Sequence, residues 1–423
     1  MQKIVKSIKA NGRALLLQLK KSNSSFFFSL LLFFVVSNLM FQFGWKPKPL
    51  EIVWKIYYVL FTAIMWGSAI YLFYVFAEWR AAWKHTGALV LIGLFVFIIT
   101  AIISKYETTD SYKFIMGVFF CLTICGKRYD KILKNYLVLF SASLLLAFIL
   151  MLLGITYDAA KPERAYGGHS LGILYPNDWG YLMFAVMILF WYLSLRGKKV
   201  ITILFFAVTA IFMYKYITCM TIALLSILFP LAAILSEMLE DKAQKADAVV
   251  PPKWYKVVEV FFIILPFLFL TFMLFFCWQM DWVHDTFYGT KLHTFAMRFV
   301  EGGYALKLVP LKLFGRPFEQ MQTGVIDYLN EIDMKIDSAY LTYIIIRGII
   351  PMGMTLGWIS LAHKRCLRMR DYRLLCISVF MLIFSMMERP GLDVWYNFVL
   401  LYPLAGLQDD TADHFGMAIT ASV

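Results

Sequence analysis

The chain has 423 residues, of which 61% are hydrophobic, 18% aromatic and only 16% charged; a soluble domain is roughly 45–50% apolar and 25% charged. That much apolar surface cannot be hidden inside a water-soluble globule, which excludes disordered, collagen-like, disulfide-scaffold and ordinary cytosolic enzyme classes and leaves a polytopic membrane protein. The formal net charge of +13 then belongs to membrane orientation and anionic headgroups, and nucleic acid is not an expected partner.

In chain order the apolar runs are Ser25 to Phe43, Tyr57 to Ala77, Gly87 to Ser104, Phe114 to Gly126, Tyr136 to Ile155, Trp179 to Leu195, Val200 to Tyr214, Tyr216 to Met238, Val257 to Cys277, Ser338 to His363, Leu374 to Met387 and Val394 to Leu407. A spanning helix needs about 20 apolar residues, fewer when it packs inside a bundle. The predicted fold is therefore all-α, a single transmembrane domain over residues 1–423 with about twelve transmembrane helices. The first run follows Lys3, Lys6, Lys9, Arg13, Lys20 and Lys21 and lacks a small-residue cleavage site, so it reads as a retained helix. With a cytoplasmic N-terminus, the loops assigned to the inside hold 24 of the 40 Lys and Arg, the bias expected of cytoplasmic loops. An even number of spans places the C-terminus in the cytoplasm too.

The six cysteines show neither a disulfide framework nor zinc spacing, and no metal or cofactor is expected. Function should concentrate in the two long outside loops, 156–178 and 279–337. In the first, glycines flank His169 and Ser170, and Pro176-Asn177-Asp178 is turn chemistry leading into a helix. Arg164 can grip a phosphate or carboxylate with its planar fork, or meet lipid headgroups. His169 can exchange a proton near neutral pH, or simply bond a backbone carbonyl.

The second loop opens with Lys291 to Leu308, a predicted helix in the membrane interface stopped by Pro310. Arg298 and Glu301 share a face of it and can pair with each other. The loop ends on Asp337 and Ser338, either of which can cap the next helix. Arg347 lies about ten residues into that span, where a lone arginine costs about 2.5–3.5 kcal/mol, so a cavity or a partner such as Glu388 or Asp393 is expected.

Arg164 followed by Ser170-Leu171-Gly172 and Pro176-Asn177, then Arg298, Leu313-Phe314-Gly315, and Asp337-Ser338-Ala339-Tyr340-Leu341 with Gly348, resemble the Wzy-type polysaccharide repeat-unit polymerases of the O-antigen polymerase and ligase superfamily. These motifs cover about a fifth of the chain, a share that hydropathy over one bundle extends only in outline. One departure is Tyr175, where such polymerases often carry His before Pro-Asn.

The resemblance implies a glycosyltransferase of the bacterial cytoplasmic membrane. It would move a growing glycan from undecaprenyl diphosphate onto the next lipid-linked repeat unit at the outer face. Donor and acceptor are then both undecaprenyl-diphosphate-linked glycans, membrane lipids surround the chain, and a chain-length regulator and a flippase are candidate partners. Arg164, Arg298 and Arg347 would meet the diphosphate, with Ser170, Asn177 and Tyr340 as further substrate contacts. His169 or Asp337 would be the general base. A ligase of the same superfamily, a polysaccharide flippase or other transporter, and a non-catalytic scaffold are the competing readings.

Overall fold

The computed structural model describes Phe95 and residues 129–156, 158, 169–173, 176–245, 253–290, 293–315, 337–392 and 397–403. Apart from Phe95 in the third, the first four predicted spans lie outside them, as do Arg164 and Asp393. Among the described residues, α1 is Tyr129–Leu152, α2 Pro176–Ser194, α3 Lys199–Phe212, α4 Met220–Lys245, α5 Lys253–Trp278, α6 Met280–Phe287 and α7 His293–Leu308. Then come α8 Ala339–Thr342, α9 Ile349–Arg368 and α10 Tyr372–Met387. Four of these helical stretches are long and apolar enough to cross a membrane: Tyr129–Leu152, Lys199–Ile217, Met220–Ala243 and Lys256–Trp278.

The helices sort by what surrounds them. α2 and α10 are apolar all round and bury most of their side chains, which makes them interior helices. Phe229 of α4 ties the centre together: its ring stacks on Phe206 of α3 at 4.9 Å and meets Trp191 of α2 at 5.1 Å and Phe380 of α10 at 5.0 Å. α3, α4 and α5 form the perimeter, and their outward side chains are apolar as well. Val200, Val208, Leu231 and Val257 are each 67–69% exposed. Such surface is tolerated where hydrocarbon is the solvent, so this is a helical bundle built for a membrane.

Two chain breaks depart from the simple span expectation. The run from Ser338 to His363 is not one helix: α8 passes into a π-helical turn, Tyr343–Arg347, and stops at Gly348. The backbone of Gly348 has φ +98° and ψ 172°, a region open essentially to glycine alone. Here Leu313-Phe314-Gly315 runs across the gap. Lys312 and Leu313 offer their carbonyls to the N–H groups of Ile349 and Ile350, both at 3.0 Å, and so satisfy the start of α9. A Cβ on Gly348 would stand 2.3 Å from the nitrogen of Gly315, and one on Gly315 would stand 2.0 Å from the carbonyl oxygen of Ile346.

The last predicted run is likewise not an α-helix where it is described. Phe398–Leu401 is a buried 3₁₀ turn, and Tyr129, Trp358 and Arg365 donate to the carbonyls of Phe398, Leu400 and Tyr402. Irregular backbone at this depth is sustainable because protein groups meet its carbonyls.

α5 shows the same economy around a proline. Pro266 has no N–H for the carbonyl of Phe262 four residues earlier. His363 of α9 takes its place, with Nδ1 2.7 Å from that carbonyl and Nε2 2.7 Å from the hydroxyl of Ser378 on α10. Ser360 donates to the neighbouring carbonyl of Ile263 at 2.6 Å. The kink thus becomes a three-helix clamp.

The antiparallel packing creates two polar ends. At one, Glu240 of α4 lies between Arg196 at 3.2 Å and Arg373 at 3.3 Å, and Tyr192 donates to Asp371 at 2.7 Å. Described residues of three basic loops expected to share one side meet there: Arg196, Glu240 with Asp241, and Arg373. His169, Ser170, Asn177, Arg298 and Asp337 lie toward the other end.

Candidate functional site

The site is assembled by the end of α1 and the start of α2, by α7, by the approach to α8, and by the residue after α10. In the first loop the Ser-Leu-Gly box is a tight turn. Ile173 donates to the carbonyl of Ser170 at 3.0 Å, and both central residues have positive φ, Leu171 at +46° and Gly172 at +89°. This is the pattern of a type I′ turn. Glycine is required at 172, because a Cβ there would stand 2.3 Å from the carbonyl oxygen of Ala147 on α1. Ser170 is buried inside the turn. His169, just before it, keeps 46% of its side chain exposed and bonds through Nδ1 to the carboxylate of Asp158.

α2 begins at Pro176, a residue whose fixed φ and missing N–H suit the first helical position. Asn177 therefore sits in the first turn of the helix and not in a preceding loop. Its side-chain amide reaches the carboxylate of Glu388, just past α10, at 3.5 Å.

Arg298 is the centre of the second cluster. α7, the helix expected at the interface, packs against α5 and α6, with Ala296, Phe299, Val300, Glu301 and Ala305 buried. Gly302 and Gly303 permit this, since a Cβ on Gly303 would stand 2.4 Å from the carbonyl oxygen of Cys277. The guanidinium donates to Asp337 at 2.7 Å and to Glu301 at 3.4 Å, and its side chain is 14% exposed. Burial alone would lower its pKa, but Asp337, Glu301 and Glu388 outweigh that and raise it, so the charge is permanent. Ser338, and not Asp337, caps α8, accepting from the N–H of Leu341 at 3.5 Å.

Two expected contacts stand elsewhere. Tyr340 is 0% exposed, and its hydroxyl makes no hydrogen bond among the described residues. It is packed in the core. Arg347 is not deep in an unbroken span: it closes the π-helical turn at the helix break, with its guanidinium 4.0 Å from the centre of the Tyr343 ring. No group of side chains among the described residues has the make-up of a metal site.

Asp158, Glu388 and Glu301 share the work of this end of the molecule. Glu301 was visible from its spacing to Arg298. Nothing in the sequence marked Asp158 as the partner of His169 eleven residues away. Glu388 drew notice only as a counter-ion for Arg347, and its contact with Asn177 spans more than two hundred residues. No protein-family model, curated protein or solved structure matches this chain.

Proposed function

We propose that this chain is a membrane glycosyltransferase that polymerises undecaprenyl-diphosphate-linked oligosaccharide repeat units at the outer face of a bacterial cytoplasmic membrane. The reading is supported by two features at one end of an apolar bundle: a half-exposed imidazole bonded to a carboxylate, and a largely buried arginine that stays charged. Glycosyl transfer from a lipid diphosphate needs those two things: a base for the acceptor hydroxyl and fixed cations for the departing diphosphate.

In this reading Asp337 and Glu301 hold the plane of Arg298 through one N–H on each terminal nitrogen, Nη2 and Nη1, and these two pairs use two of the five N–H donors of a guanidinium, the other three being the ones that would meet phosphoryl oxygens. With its carboxylate committed to Arg298, Asp337 is a poor choice of base, and the role falls to His169. Arg347, at the helix break, and Arg164, which lies outside the described residues, are the further cations that the resemblance implies.

The test is polymerisation by purified protein supplied with undecaprenyl-diphosphate-linked oligosaccharide extracted from a host strain lacking the gene. A ladder at repeat-unit spacing that disappears in folded Arg298→Ala and Arg164→Ala variants is the expected result. A single transfer to a different acceptor would support the ligase reading. Transport of the lipid-linked unit without any new glycosidic bond would support a flippase.

A further inference from the structure

Asp158 is a carboxylate of the first outside loop with no role assigned above, and its contacts are specific in direction. Oδ1 accepts from the backbone N–H groups of Ser170 at 2.7 Å and Leu171 at 3.0 Å, while Oδ2 meets Nδ1 of His169. The backbone N–H of His169 donates in turn to the carbonyl of Tyr216 at 2.7 Å, in the π-helical turn that ends α3. Ring and backbone are thus both fixed, on a residue whose side chain is otherwise half open. Burial would raise the pKa of Asp158, but the bond to His169 and the two backbone N–H groups outweigh it and hold the carboxyl below its usual range. An ionised carboxylate has no hydrogen to give. The hydrogen between the two residues therefore sits on Nδ1, and a neutral His169 carries its lone pair on Nε2.

We propose that Asp158 is a positioning residue that locks His169 in the Nδ1–H tautomer and presents Nε2 outward as the general base of glycosyl transfer. The inference rests on the polymerase reading above. In the step, Nε2 takes the proton of the acceptor hydroxyl as that oxygen bonds to the anomeric carbon of the donor glycan. The bond from that carbon to the diphosphate oxygen breaks, and its electron pair leaves with undecaprenyl diphosphate, which then receives the proton from His169 directly or through water. Asp158 touches neither substrate and acts through the imidazole.

Asp158→Asn separates this role from a structural one. The amide oxygen can still accept from Ser170 and Leu171, but the amide NH₂ then faces Nδ1 and selects the Nε2–H tautomer, which has no lone pair at Nε2 to take the acceptor's proton. The measurement uses the full chain in lipid nanodiscs with ¹⁵N-labelled histidine, the His169 signals being those lost in His169→Gln. The expected spectrum places the hydrogen on Nδ1 in the wild type and on Nε2 in Asp158→Asn. With the extracted lipid-linked oligosaccharide as substrate, kcat falls on the order of 10²–10⁴-fold in Asp158→Asn, with little change in KM or in the unfolding midpoint. Asp158→Glu recovers the wild-type tautomer and part of the rate. A wild-type imidazole with its hydrogen on Nε2, or an active wild type whose Asp158→Asn variant keeps its kcat, overturns the inference and leaves the polymerase reading standing. An inert wild-type protein overturns the polymerase reading and the base role together, and the tautomer measured in the same sample tells the two failures apart.

Discussion

Arg298 shows at the level of one side chain how charge is kept at this end of the bundle. Its ion pairs with Asp337 and Glu301 are largely enclosed, so removing the cation leaves carboxylates facing each other in a poorly hydrated place. Arg298→Ala should lower stability by about 2–4 kcal/mol, read as a drop in the unfolding midpoint in detergent, and Arg298→Lys should recover only part of it because an ammonium lacks the planar fork. Tyr340 behaves oppositely. Its hydroxyl is buried without a partner, so Tyr340→Phe should be neutral or stabilising by up to about 1 kcal/mol and should leave activity intact; a loss of activity at unchanged stability would place that hydroxyl on substrate. Asp158 supplies a dependence on pH. Its pKa is lowered in the folded chain, so the stability it contributes is fully present above the ordinary carboxylate value of about 3.9 and is lost as pH falls through the lower folded value. The difference in unfolding midpoint between wild type and Asp158→Ala should therefore shrink as pH falls below about 4.

At the level of elements, the bundle relies on backbone exchanges where regular helices stop. The crossing of Leu313-Phe314-Gly315 over Gly348 leaves no room for a side chain on either glycine, and the backbone of Gly348 costs any other residue about 1–3 kcal/mol before the clash is counted. Gly348→Ala should thus separate α8 from α9 and reduce both folded yield and activity, while Gly353→Ala, an open position on α9, serves as the silent control. The clamp at Pro266 permits a double-mutant cycle. His363→Phe leaves the carbonyl of Phe262 unsatisfied and should cost about 1–3 kcal/mol; in a Pro266→Ala background the restored N–H takes that carbonyl, and the cost should drop. Equal costs in both backgrounds would mean that the histidine is not compensating for the proline.

For the molecule as a whole, the apolar exterior of α3, α4 and α5 fixes the solvent. A charged residue at Leu204 or Ile264, both on exposed helix faces, should reduce insertion, with a cost of about 2.5–3.5 kcal/mol near the bilayer centre. Sidedness follows from the two polar ends. A cysteine replacing Asp285, exposed in the last turn of α6, should react with an impermeant maleimide added outside intact cells, and one replacing Lys198, between α2 and α3, should react only after permeabilisation. The reverse pattern would invert the orientation and remove the outer-face site from consideration.

The sequence by itself determined the class of solvent and the class of fold. Apolar content is a sum over residues, and a helix in hydrocarbon satisfies its own backbone, so hydropathy located α3, α5 and α10 to within about four residues of their ends and found α1 and α4, whose polar outer turns, Tyr129 to Asn135 and Leu239 to Lys245, lie beyond the apolar runs. It also picked out His169, Arg298 and Asp337 as chemically capable residues. Only the tertiary structure decided which of them meet. Arg298 could have used Glu301 alone, three residues away, yet Asp337 closes the shorter bond across a long loop. The clamp of Phe262, His363 and Ser378 and the crossing at Gly315 and Gly348 depend on carbonyls and glycine backbones brought from separate elements. Spacing along a chain reports contacts within one helical turn. Partners tens or hundreds of residues apart are chosen by packing, which minimises unsatisfied polar groups over the whole bundle at once.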